Sequence, residues 1–131
     1  MRGLISAIAT SLVLVTFTGC GSQSSQASGE LSPELSAVTL NVRNDNFQDM
    51  DLYAVHNGAS TRIGTAIGNS SGVFKLNRGL FPTNDIAIVA VPIGGFGRAS
   101  SGTLSVSGGE QIDFNIMPVL SQSNASVRPP R

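Results

Sequence analysis

The chain has 131 residues, of which 40% are hydrophobic and 12% charged, with 15 glycines and 6 prolines. That composition can fill a globular core but leaves a surface unusually poor in charge. Eight basic residues balance eight acidic ones and lie scattered along the chain, which excludes a nucleic-acid binder, because such a protein needs clustered cations to release counterions from phosphate.

Met1-Arg2 makes a short basic start, and residues 4–17 form an apolar stretch of helical composition that is too short to be a permanent membrane span. Directly after it, in the sequence TFTGCGSQSSQ, comes the only cysteine, Cys20. A single cysteine has no partner within the chain for a disulfide. With one histidine it builds no metal site unless carboxylates supply the other ligands.

The run Phe17-Thr18-Gly19-Cys20 resembles the lipobox of bacterial lipoproteins, in which small residues precede a cysteine that is acylated and becomes the mature N-terminus. Phe17 stands where that family usually carries Leu, Val or Ile. The resemblance implies that residues 1–19 are a signal peptide, and that Cys20 carries a diacylglycerol on sulfur and a further acyl chain on its amine. Two lipid signals of this kind hold a protein stably on a membrane. The expected location is the bacterial cell envelope. Gly21, where an Asp would favour the inner membrane, favours the outer one, facing the periplasm or the exterior. Removal of Arg2 with the signal leaves seven basic and eight acidic residues.

Residues 20–36 are expected to be the lipidated cysteine and a flexible linker, since GSQSSQASGELSPELS has almost nothing apolar to bury. The C-terminal residues 119–131, polar and proline-ended, read as a disordered tail. Between them, over residues 37–118, the hydrophobic period changes to two. Val38, Leu40 and Val42 alternate with Thr39, Asn41 and Arg43, and Ile112, Phe114 and Ile116 alternate with Asp113 and Asn115. On that register Phe114 is core and Asp113 faces water. The stretch DIAIVAV, residues 85–91, is apolar on both faces and should be a central strand.

Seven strands are expected, over residues 37–44, 50–56, 61–67, 71–77, 85–92, 100–106 and 110–117. They are separated by turn chemistry: Asn57-Gly58 suits a type I′ hairpin, Gly108-Gly109 a tight turn and Gly94-Gly95-Phe96-Gly97 a looser one. No helical period follows the signal. The fold expected is therefore all-β, a seven-stranded antiparallel β-sandwich of the Greek-key, prealbumin- or immunoglobulin-like kind.

In the second half, Gly72-Val73-Phe74-Lys75-Leu76, Ile86-Ala87-Ile88-Val89-Ala90 and Leu104-Ser105-Val106-Ser107-Gly108-Gly109 leading to Ile112-Asp113-Phe114 resemble the transthyretin-like modules related to carboxypeptidase regulatory domains. Asn84-Asp85-Ile86 replaces the Gly-x-Tyr frequent there. The resemblance implies a non-catalytic accessory or adhesive module.

Three constellations bear on chemistry. Residues 68–72, GNSSG, match the G-x-S-x-G nucleophile elbow, but no helix follows, and His56, the sole histidine, precedes Ser70 instead of following it. A small hydrolase using Ser70 and His56 with Asp49 and Asp51 is the rival to a binding module. A purely structural lipoprotein is a further alternative. The acids Asp45, Asp49 and Asp51 invite an irregular calcium site, but an EF-hand starting at Asp45 would need Gly and Glu where Met50 and His56 stand. The loop Gly94-Gly95-Phe96-Gly97-Arg98 lacks the full dinucleotide fingerprint and the helix that would hold phosphate. No catalytic residue, metal or cofactor is assigned.

Strand parity gives the binding surface. If successive strands run in opposite directions, the connections after strands one, three and five gather at the end away from the tether. Phe47 and Phe96 then lie together as anchors, with Asp45, Asp49 and Arg98 as a polar rim. The alternative is that both rings fold back onto the core. The partners expected are the membrane, through lipid on Cys20, and an envelope protein or glycan.

Overall fold

The computed structural model describes residues 37–130; the apolar N-terminal stretch, Cys20 and the linker lie outside the described residues. The described segment is all-β. Its strands are β1 (Val38–Asn44), β2 (Met50–His56), β3 (Ala59–Ala66), β4 (Ser70–Leu76), β5 (Asp85–Pro92), β6 (Ala99–Ser105), β7 (Gln111–Ile116) and β8 (Asn124–Arg128), with single 3-10 turns at Arg78–Leu80 and Leu120–Gln122. Two four-stranded sheets face each other, ordered β4-β1-β7-β8 and β3-β2-β5-β6.

Period-two alternation decides which side chains enter the space between the sheets. Val38, Leu40 and Val42 of β1, Ile86, Ile88 and Ala90 of β5, and Ile112, Phe114 and Ile116 of β7 point inward and are buried. Every side chain in this core is at most 3% exposed. The buried cluster drawn from the described segment is large enough for a domain of this size to fold around. Asn57 and Gly58 both take positive φ, 48° and 79°, which matches the twist of the β2–β3 hairpin as a type I′ turn does.

Three expectations need correction. There are eight strands, because Asn124–Arg128, within the segment expected to be a disordered tail, pairs with β7 as an antiparallel edge strand. Its Ala125 and Val127 pack half-buried against the core, which helps to fix a short edge. The sandwich therefore extends past residue 118. Nor is the fold antiparallel throughout: β1 and β7 pair in parallel, Val42 opposite Phe114. Strict alternation of direction makes the first and seventh strands run the same way, so once they become neighbours no other pairing is open to them.

The two ends of the sandwich are closed differently. At the end where β1 begins, Phe81 in the β4–β5 connection turns inward and is fully buried, with the Arg78 guanidinium 5.4 Å from its ring centroid. At the other end the closure is polar.

Candidate functional site

That other end is built around the β1–β2 connection, residues 45–49. Asn44 and Asn46 are the buried polar residues among those described. The Asn44 Nδ2 group donates to the carbonyls of Gln48, Ala66 and Ile67 at 2.9, 3.2 and 3.2 Å. Its Oδ1 accepts the Asn46 N–H, and Asn46 Oδ1 in turn accepts the Gln48 N–H. These are two successive Asx turns, the local geometry short amide side chains favour. Asn46 Nδ2 reaches across to the Pro118 carbonyl, 3.1 Å away.

The connection is tied to its neighbours through backbone as well. The Asn69 N–H donates to the Asn46 carbonyl, the Ile93 N–H to the Asp49 carbonyl and the Asp45 N–H to the Ile116 carbonyl. The approach at Gly68 is so close that a Cβ there would stand 2.3 Å from the Phe47 carbonyl oxygen; only glycine fits. The connections after β1, β3, β5 and β7 form one bonded platform.

From this platform the apolar side chains project outward. Phe47 is 78% and Phe96 98% exposed, and Ile67, Ile93 and Val119 on the same set of connections are each more than half exposed. Val73, on β4, is the one other large hydrophobic so exposed among the described residues. Neither ring folds back onto the core.

The polar residues expected around the two rings are placed variously. Asp45 pairs with Arg43 at 2.9 Å, and Asp49 Oδ1 accepts the Gly68 N–H at 2.9 Å. Arg98 lies beside Tyr53, Val55, Val89 and Val91 in a shallow depression on the outer face of the second sheet. Asp51 is on the outer face of that sheet, where the Arg62 guanidinium donates to it at 2.7 Å and the Thr65 hydroxyl at 2.9 Å. These hydrogen bonds, Arg62 foremost, hold the Asp51 carboxyl below its ordinary pKa and raise that of Arg62. Asp45, Asp49 and Asp51 thus turn to three different partners. No group of three His, Cys, Asp or Glu side chains converges among the described residues.

The rival catalytic pair is not brought together. Ser70 opens β4 beside Asn44, and its hydroxyl donates to the Ile67 carbonyl. His56 closes β2 at the opposite end, with Nδ1 2.6 Å from the Asp85 carbonyl and Nε2 3.0 Å from Asn57 Nδ2. A seven-residue strand separates those ends by about 20 Å, beyond any nucleophile–base hydrogen bond.

The residues that the sequence reading missed are Asn44 and Asn46. The signal was present in RNDNFQD, two asparagines two apart at a strand end, but the acids beside them pointed to a calcium site instead.

No family model matches the sequence, and no curated protein matches it. Among solved structures, the chain is similar to a protein from Eubacterium rectale determined by NMR, with TM-score 0.45 and 8% identity over 73% of this chain and 92% of that one. It is also similar to a Gram-negative toxin, with TM-score 0.38 and 11% identity over 74% of this chain and 24% of the toxin.

Proposed function

We propose that this protein is a lipid-anchored lipoprotein of the bacterial cell envelope, held through Cys20 at the outer membrane. Its β-sandwich is a non-catalytic binding module of the Greek-key, transthyretin-like kind. The working surface is the end that carries Phe47 and Phe96, and it contacts another component of the envelope. The order of basic start, apolar run, small residues and cysteine in residues 1–20 supports the anchor. The two facing sheets with strand orders β4-β1-β7-β8 and β3-β2-β5-β6 support the module.

One observation carries the working surface: two phenylalanines, 78% and 98% exposed, stand on neighbouring connections at the end opposite the chain's entry. Large rings in that state cost solubility unless a partner covers them. The test is in-cell cross-linking with the double variant Phe47→Ser, Phe96→Ser. Loss of the cross-linked species with an unchanged unfolding midpoint is the expected result. Undiminished cross-linking by a stably folded variant would remove the surface from consideration.

A further inference from the structure

We infer that the occupant of this working surface is the lipid interface of a membrane, into which Phe47, Ile67, Ile93, Phe96 and Val119 insert as a crown. The inference rests on the reading of this end as the working surface and adds what it touches.

A ring 98% exposed, as Phe96 is, touches almost nothing of its own protein and projects as a spike. A protein partner would need a preformed pocket for each projecting ring, whereas the headgroup–acyl boundary yields to either of them. Apolar and aromatic side chains favour that boundary.

Specific protein interfaces carry about one hydrogen bond per 100–200 Å² alongside their apolar contacts. On this end the polar groups are turned inward and used: Asn44 and Asn46 bind carbonyls, and Asp49 holds the Gly68 N–H. The backbone N–H groups of Asp45, Asn46, Gln48, Gly68, Asn69 and Ile93 all donate within the platform. Backbone that enters a medium without water must be satisfied internally, and this platform largely meets that condition. Of the carboxylates on the β1–β2 connection, Asp45 is paired with Arg43, and Asp49 is held by the Gly68 N–H.

The chain enters at Ala37, at the opposite end, after sixteen residues that follow Cys20. Such a segment fully extended spans about 55 Å, while the strands of the domain are about 25 Å long. A domain anchored at Cys20 can therefore lay the crown on the membrane that holds its anchor. Tethering would keep the crown at high effective concentration there, so weak insertion suffices.

The test uses the self-contained segment, residues 37–131, with phosphatidylcholine vesicles. The wild-type segment should co-sediment with vesicles, and Phe47→Ser with Phe96→Ser should weaken its partitioning at least about tenfold, the scale set by the apolar area of two rings. Raising the salt should change little, because the attraction is not between charges. Phe96→Trp should shift its emission to the blue on vesicles and be quenched by brominated lipid, while Thr83→Trp, at the far end, should not. Absence of partitioning, partitioning indifferent to the double change, or equal quenching of both tryptophans would overturn the inference. If vesicles fail but in-cell cross-linking still depends on the two rings, lipid is the wrong occupant and the working surface stands. If both fail, both readings fall. Should the double variant unfold, the two tryptophan variants decide alone.

Discussion

The Asp113 carboxylate on β7 accepts a hydrogen bond from Arg128 Nη2 at 2.7 Å and forms an ion pair with the same guanidinium, tying the last strand to the sheet. Asp113 also accepts from Asn41 Nδ2 of β1 at 2.9 Å, so one carboxylate spans three strands. It is not the idle solvent-facing residue that alternation alone suggests. Asp113→Ala should leave the core intact and release β8, so amide hydrogen exchange should accelerate across residues 124–128 and much less elsewhere. Phe114→Ala, one position along, empties a fully buried site and should cost about 3–5 kcal/mol of global stability. Urea midpoints separate the two: a large shift for Phe114, a small one for Asp113. Equal shifts would contradict the register of β7.

Asn44→Ala should be the most damaging polar substitution at the crown end. Its side chain is fully buried and holds the carbonyls of Gln48, Ala66 and Ile67, so truncation takes a donor from all three, of which Ile67 alone keeps a side-chain donor, from Ser70. The expected loss is about 1–3 kcal/mol. Exchange should also quicken at the amides of Asn46, Gln48 and Asn69, because the platform loses its centre. A variant as stable as wild type, with those amides still protected, would show that the Asx turns hold without it.

Strands β1, β2, β5 and β7 were legible in the sequence because their inward residues are large and alternate without interruption, as in Val38, Leu40, Val42 and Ile112, Phe114, Ile116. β8 was not. Its inward residues are only Ala125 and Val127, and much of what fixes it is a tertiary ion pair invisible to local pattern. The parallel pairing of β1 with β7 was missed for a related reason, since turn signals report hairpins and say nothing about strands seventy residues apart in sequence. That Phe47 and Phe96 lie on connections at the same end was accessible because it depends only on the parity of the connections, and an eighth strand added after the last of them leaves parity unchanged. Phe81 was overlooked for the converse reason: it sits in an irregular connection, where no period marks an inward residue. The depression beside Arg98 was missed because alternation on β5 places Val89 and Val91 outward but an apolar run suggests cover on both faces.

Acid should weaken the β2–β3 edge through Asp51. Its pKa is held below the ordinary value in the folded protein, first by the hydrogen bond from Arg62 and then by that from Thr65. A depressed carboxylate contributes stability that is complete above the unfolded-state value, about 3.9, and disappears as the pH falls through the lower folded value. Between neutral pH and that window the contribution should stay constant. Asp51→Asn should remove it at neutral pH, so the stability difference between wild type and variant should narrow as the pH is lowered through that window. A difference that widened in acid would mean that the pair opposes folding.

The anchor prediction concerns Cys20→Ala. The lipobox-like order of residues 17–20 implies acylation of a thiol, and Cys20 is the only one in the chain, so no other residue can accept a thioether-linked lipid. Growth with a clickable fatty acid should label the wild-type protein and leave the variant unlabelled. In the lipoprotein class that the segment resembles, cleavage follows acylation, so the variant should also remain at precursor size, still carrying residues 1–19. Arg2→Ala with Cys20 retained, by contrast, should still yield some labelled product, because the sulfur is the reacting atom and the basic start only orients the chain. Label on the Cys20→Ala variant would place the lipid elsewhere and end the lipoprotein reading. An unlabelled wild type, produced in a bacterium whose own lipoproteins take up the probe, would end it as well, and would leave the crown without the tether that makes weak insertion sufficient.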